Sequence, residues 1–178
     1  MFDNKVIAIT GAGSGIGRAL ALNLAGRGAV LALADKDADG LAETKRLLGN
    51  RPASITALDV TDTAALNAWV AGAVTDFGKL DGIINNAGLS VVAPFADCPE
   101  ADFDRVMNVN FNAVVAGCRA ALPLINDSAA RTGLGGRIVN MASRAGQRGY
   151  AAEALPYGAT KAALVNLTKS IARSFGPD

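Results

Sequence analysis

Histidine is absent from the chain, and this absence excludes more chemistry than any other feature of the composition. Without an imidazole there is no Ser-His-Asp hydrolase, no His-ligated catalytic zinc and no histidine general base. Cysteine is scarce: Cys98 and Cys118 form neither a metal-ligand nor a redox spacing, and no metal site is expected. A chain of 178 residues does not need one disulfide to hold together, so a reducing cytoplasm is the simplest location. Net charge is lacking too. With 17 Lys and Arg against 16 Asp and Glu there is no broad basic field to collect nucleic acid or an anionic membrane surface. The opening stretch, Met1 to Thr10, is too short and too soon followed by glycines to read as a signal peptide. The glycosylation-like triplets at Asn126 and Asn166 are then coincidental.

What is present is a balance of 51% hydrophobic and 19% charged residues, that of one ordinary globular domain with a full-sized core, placed over residues 1–178. Short apolar runs alternate with longer stretches of helical period, the sequence form of repeated strand-helix-strand units and hence of an α/β fold with a parallel sheet. Five strands are expected at Lys5 to Thr10, Ala29 to Ala34, Ser54 to Leu58, Leu80 to Ile84 and Arg137 to Met141. Their near-continuous apolar character suits strands covered on both faces. Ile16, Leu20 and Leu24 set one face of a first crossover helix, with Gly28 as its left-handed C-terminal residue. Leu66, Val70, Ala73 and Phe77 set another, capped by Thr61 or Asp62 and ended by Gly78. Ala101 to about Ala121 and Pro156 to Phe175 read as two long helices.

Directly after the first strand stands Thr10-Gly11-Ala12-Gly13-Ser14-Gly15-Ile16-Gly17. Glycines there permit unusual dihedrals and bring backbone N–H groups and a helix N-terminus against a pyrophosphate. The spacing differs from G-x-G-x-x-G, and the Gly-Lys-Ser/Thr ending of a P-loop is missing. Asp35 ends the second strand, 18 residues beyond Gly17, where a carboxylate can accept both hydroxyls of an adenosine ribose and repel a 2′-phosphate. Lys36 is the one contrary sign, a cation within reach of a phosphate. Tyr157 and Lys161 are four residues apart and share a helix face. A free tyrosine titrates near ~10 and needs a neighbouring cation to exchange a proton readily near neutrality, which Lys161 can supply. In a chain without histidine this pair is the best acid–base candidate.

T-G-x-x-x-G-I-G resembles the cofactor signature of the short-chain dehydrogenase/reductase family. Other landmarks follow in order: Asp59-Val60, Asn85-Asn86-Ala87-Gly88, Asn110, Ser143 and Tyr157-Gly158-Ala159-Thr160-Lys161. The resemblance runs from about Lys5 to the last residue. It implies a Rossmann-type, doubly wound α/β/α domain with strand order 3-2-1-4-5. It also implies that Gly11, Ser14, Gly15, Ile16 and Gly17 cradle the dinucleotide, that Asp59 and Val60 contact its adenine, and that Asn86, Ala87 and Gly88 line its trough. Tyr157 would exchange a proton with the substrate oxygen while hydride moves to or from the nicotinamide. Ser143 would fix that oxygen, Lys161 would tune Tyr157 and hold the nicotinamide ribose, and Asn110 would hold a water in a proton relay. NAD(H) is expected in preference to NADP(H), since Ser14 stands where NADP-preferring relatives often carry a basic residue. A small alcohol or ketone substrate and a homodimer or homotetramer through the two long helices complete the expectation.

Family members normally continue past this point. With ~30 residues per strand-helix-strand unit, something like 60 to 80 residues are expected to be missing relative to the family, which leaves the fifth strand as an open edge. A shortened dinucleotide-binding module without turnover is the alternative, and a methyltransferase using S-adenosylmethionine is a remoter one, because it has no need of Ser143, Tyr157 and Lys161 in this order.

Overall fold

The computed structural model describes residues 2–149 and 155–176. Five strands, β1 (Val6–Thr10), β2 (Val30–Asp35), β3 (Ala53–Ala57), β4 (Gly82–Asn85) and β5 (Arg137–Asn140), form one sheet in the order β3-β2-β1-β4-β5. β1 runs parallel to both of its neighbours, with Ala8 opposite Ala32 on one side and Ile83 on the other. The fully covered positions are the central ones: Ala8, Ile9, Leu31, Leu33, Ala34 and Ile83 are all but inaccessible to solvent. The outer strands depart from the sequence expectation of two-sided burial. Ile55 on β3 is 40% exposed and Val139 on β5 is 45% exposed, because an edge strand has no neighbour to complete its cover.

The chain divides into two compact units, Met1–Ala87 with Val115–Val139, and Gly88–Val114 with Asn140–Asp178. In the first, α1 (Gly15–Ala25) buries Gly17, Ala21, Leu24 and Ala25. Ile16, expected on that packed stripe, is 62% exposed: it sits in the first turn, where the helix leaves the sheet. The helix also ends earlier than expected, at Gly26 in right-handed geometry; Gly28 does have positive φ, but in the turn that follows. α2 (Ala38–Leu48), a helix that periodicity did not single out, buries Gly40, Leu41, Thr44 and Leu48. α3 (Thr63–Phe77) is capped as expected by Asp62, whose side chain accepts the Ala65 N–H, and ends at left-handed Gly78. On the face that carries α1, Leu20, Leu24, Ile84 and Val139 border a groove of about 590 Å³.

The helix expected over Ala101 to Ala121 is α4 (Glu100–Met107), a π turn over Asn108–Asn112, and α5 (Ala113–Thr132). The inserted residue of a π turn rotates everything after it about the axis, so Phe103 does not share a buried face with Asn110; Val106 is buried in its place and Phe103 is exposed. α5 also runs past Ala121, where the expected helix ended, and on through Pro123. Proline at that point forfeits one backbone bond, and beyond it Ile125 and Ser128 are still buried, the latter accepting the Leu80 N–H at 3.0 Å. α6 (Leu155–Phe175) matches its expected span.

Candidate functional site

In the first unit the glycine loop is a turn whose every close contact requires a missing side chain. A Cβ at Gly11 would meet the Ala87 Cα and the Asn86 amide at 2.9 Å, one at Gly17 would collide with the Gly11 carbonyl, and one at Gly13 would meet the Asp35 carboxylate at 2.9 Å. Gly15 is different: at φ +49 its Cβ direction meets nothing within 4 Å, so the loop is open there. Ser14, the residue preceding α1, makes no side-chain capping bond, and the first turn carries no acidic residue. An uncapped helix start with no negative charge, set behind a loop of bare backbone, suits a pyrophosphate.

The loop is tied down from the sheet side. Thr10 Oγ1 accepts the N–H groups of Asn86 and Ala87 at 3.0 and 3.1 Å, and Asn86 Nδ2 donates to the carbonyls of Thr10 and Gly11 at 3.0 and 3.2 Å. Asn86 thus joins the ends of β1 and β4 through its amide. Asn85 beside it points the other way, into α5, where it donates to Cys118 Sγ at 3.5 Å. Asp35 is half-buried at the end of β2; its Oδ2 accepts the Gly13 N–H at 2.8 Å and its Oδ1 the Asp37 N–H at 3.0 Å. Each oxygen keeps a lone pair for a hydroxyl donor. Asp59 closes a turn by accepting the Thr61 N–H at 2.9 Å and hydroxyl at 2.8 Å. Those two bonds, the backbone one first, hold its carboxyl below the usual range, and Lys36 adds a smaller pull. Val60 is buried beside it.

In the second unit Tyr157 and Lys161 lie one turn apart on α6, with the Lys161 Nζ 5.5 Å from the centre of the Tyr157 ring. Lys161 is 4% exposed and donates to the Met141 carbonyl at 2.6 Å. Burial pushes its pKa down, and no carboxylate contributes to the shift. Ser143 caps the short 3-10 turn Arg144–Gly146, its Oγ accepting the Ala145 N–H at 3.2 Å, which leaves the hydroxyl proton free to be donated. Gly146 brings that turn against α6: a Cβ there would meet the Lys161 and Ala162 backbone at 2.5 to 2.7 Å.

Asn110 is wholly buried inside the π turn. Its Oδ1 accepts the Leu89 N–H at 2.9 Å, and its Nδ2 donates to the Leu89 carbonyl at 2.8 Å and to Thr160 Oγ1 at 3.4 Å. Thr160 in turn donates to the Tyr157 carbonyl at 2.7 Å. The Asn110 side chain therefore braces the segment just after Gly88.

Sequence reasoning passed over Thr10 as more than a motif letter, and passed over Arg18, Gly40 and Thr44 altogether. The Arg18 guanidinium donates to the carbonyls of Gly13 and Gly40 and to Thr44 Oγ1, and Thr44 donates to the Ala12 carbonyl at 2.8 Å. The available signal was a threonine on the buried face of an amphipathic helix beside the glycine loop.

The family model for short chain dehydrogenase matches residues 5–178. Levodione reductase of Leifsonia aquatica is 36% identical over 180 residues, spanning 98% of this chain and 65% of that protein. The chain thus covers somewhat less than two thirds of this relative's length. A crystal structure of NAD+-bound xylitol dehydrogenase superposes with TM-score 0.92 at 35% identity, over 99% of this chain and 66% of the other. That of a 3-ketoacyl-(acyl-carrier-protein) reductase from Brucella melitensis complexed with NADH gives 0.93 at 32% identity, over 99% and 72%.

Proposed function

Since the chain belongs to the short-chain dehydrogenase family, we propose that it is an oxidoreductase passing hydride between NAD(H) and a small alcohol or carbonyl compound, with Tyr157 as the acid–base group. The observation that carries this reading is the Tyr157–Lys161 pair: a lysine buried to 4% exposure, with no carboxylate in its surroundings among the described residues, under the ring of a phenol one turn away. Burying a cation without a counter-charge is unfavourable, and such a group is retained where its charge is used.

In the reducing direction Tyr157 gives its phenolic proton to the carbonyl oxygen; in the oxidising direction it takes the hydroxyl proton. Lys161, pinned by the Met141 carbonyl, keeps further N–H donors for the nicotinamide ribose and places positive charge near the ring. Ser143 donates its free proton to the same substrate oxygen, opposing the charge that develops there. The bound nicotinamide supplies or accepts the hydride, and the protein contributes orientation and electrostatics. Gly11 to Gly17 take the pyrophosphate and Asp35 the adenosine ribose; Asp59 and Val60 meet the adenine, and Asn86, Ala87 and Gly88 line the trough. Asn110, on the same reading, holds a water in the proton relay that leads to Lys161. A homodimer or homotetramer through α4–α5 and α6, in the cytoplasm, belongs to the same reading.

NAD(H) is favoured over NADP(H) because Asp35 presents negative charge where a 2′-phosphate would lie. Lys36, the contrary sign, is close enough to Asp59 for the pair to attract. The two similar structures reported with NAD+ and NADH accord with this. Titration with both oxidised cofactors tests it: NAD+ binds at least about tenfold more tightly, a difference of ~1.4 kcal/mol, and Asp35→Ala narrows the gap. Equal or tighter binding of NADP+ by the parent chain refutes the assignment.

A further inference from the structure

A single peptide plane lies between Asp35 and a buried hydroxyl on α2. The Ala12–Gly13 peptide donates its N–H to Asp35 Oδ2 at 2.8 Å and accepts on its carbonyl the hydroxyl of Thr44, also at 2.8 Å. Thr44 is inaccessible to solvent, so no water can replace it on that carbonyl. A threonine has one proton to give, and two carbonyls stand near it, Ala12 and Gly40 at 3.0 Å. The shorter distance favours Ala12, and Arg18 adds to it: its Nε donates to Thr44 Oγ1 at 3.0 Å, and its Nη2 gives the Gly40 carbonyl another donor at 3.2 Å as well as serving that of Gly13. The proton of Thr44 is thereby left for Ala12. Gly40 allows the approach, since a Cβ there would meet the Gly13 carbonyl at 2.8 Å and the Asp37 carboxylate at 2.5 Å.

We propose that Thr44, seated by Arg18, is a positioning residue that orients the Asp35 carboxylate through the Ala12–Gly13 peptide and so sets discrimination between a ribose with a free 2′-hydroxyl and one bearing a 2′-phosphate. This rests on the assignment of Asp35 to the adenosine ribose of a bound dinucleotide. With the hydroxyl removed, the peptide loses its anchor on the carbonyl edge and is free to rotate, carrying its N–H away from Asp35. The carboxylate, left with the Asp37 N–H on its Oδ1 as the remaining one of its two backbone bonds, gains torsional freedom. A ribose that needs two aligned acceptors loses affinity, and a phosphate that met a fixed negative charge meets a movable one. Arg18 works in the same direction: three of its contacts are spent on Thr44, Gly13 and Gly40, and loss of the Thr44 oxygen frees a cation beside the loop.

The test is calorimetric titration of NAD+ and of NADP+ against the parent chain, Thr44→Val, Thr44→Ser and Arg18→Leu, with thermal melting of each. The valine variant keeps the shape of the side chain and removes the oxygen. It is expected to bind NAD+ about tenfold more weakly while NADP+ changes by less than about twofold, so the preference ratio falls by about the same tenfold factor. Thr44→Ser restores the parent ratio, and Arg18→Leu lowers it, which keeps the proposal open to refutation should the valine variant fold poorly. An unchanged ratio in both Thr44→Val and Arg18→Leu overturns the proposal. So does an equal loss of affinity for both cofactors, the mark of a hydroxyl that only supports the fold. Failure of the underlying reading looks different: the parent chain binds neither dinucleotide, or Asp35→Ala leaves the ratio where it was.

Discussion

Around the glycine loop the first unit fixes main-chain groups with side chains, whereas around Tyr157 the second unit fixes side chains with main-chain groups. Thr10, Asn86, Asp35, Thr44 and Arg18 all bond to backbone atoms of the loop or the strand ends beside it. Lys161 is held by the Met141 carbonyl and Ser143 by the Ala145 N–H; Asn110, which braces both backbone groups of Leu89, is the second unit's exception. The reason lies in what each region has to present. A phosphate is met by bare N–H groups, so the loop has glycines where side chains would intrude and is steadied from behind. A proton is exchanged by one titratable group in one place, so there the side chain is the part to be steadied. Damage to the first region should therefore register as altered binding, and damage to the second as altered turnover.

The strongest way to break this comparison is Tyr157→Phe. Removing one oxygen from α6 should lower turnover by roughly two to four orders of magnitude, the usual share of a positioned acid–base group. Affinity for NAD+, measured by titration in the absence of substrate, should stay within about twofold of the parent, since the oxygen is assigned to the substrate. Near-normal turnover would remove Tyr157 from the chemistry. A matching loss of affinity would mean the second region is a binding element like the first.

A smaller effect is expected at Asn110, and it is structural. Asn110→Leu keeps the volume but strands the N–H and carbonyl of Leu89, so a loss of about 1–3 kcal/mol in unfolding free energy is expected from denaturant titration. Asn110→Asp separates the two bonds, because a carboxylate accepts the N–H but has nothing to donate to the carbonyl. It should fall between parent and leucine variant. If Asn110→Leu unfolds at the parent midpoint, the paired amide is not what holds the Leu89 segment.

What could be read in advance follows the same division. The strands, Asp62 as a cap and Gly78 as a stop were legible because each has a local sign: an apolar run, a capping side chain, a glycine at a fixed offset; the order of the strands came only with the family resemblance. The glycine loop and the Tyr157–Lys161 spacing were legible as patterns of three or four residues. α2 was not, because its buried face reads Leu41, Thr44, Leu48 with Gly40 before it, a polar residue and a glycine where periodicity looks for apolar ones. Those two residues are polar and small because of the loop they face, 32 and 27 positions away in the cases of Thr44 with Ala12 and Gly40 with Gly13. The burial of Val106 rather than Phe103 ahead of Asn110 was hidden for another reason: no local sign announces a π turn, and one inserted residue moves the face. The expected end near Ala121 fell short because the cost of Pro123 is local and the burial beyond it, at Ile125 and Ser128, outweighs it.

The finest distinction lies within α2 itself, between Thr44 and the residues on either side of it. Arg46 grips Glu43 with two bonds of 2.7 Å, among the shortest side-chain contacts of the first unit, with the Arg46 side chain 70% and the Glu43 side chain 41% open to solvent. Distance alone would rank that pair above Thr44. Burial reverses the ranking: in water the two charges are already well solvated, and holding two long side chains in one geometry costs the entropy that the attraction returns. The pair also bonds to nothing in the loop. Replacement of both, Glu43→Gln with Arg46→Gln, is therefore expected to leave the melting midpoint and the affinity for NAD+ at parent values in 0.15 M salt, where a Debye length of about 8 Å screens what remains. The same melting and titration experiments on Thr44→Val, one residue from Glu43, should show a clear change in cofactor preference. A loss in the double variant comparable to that of Thr44→Val would show that α2 acts on the loop through its charge, and the hydroxyl of Thr44 would lose its special place.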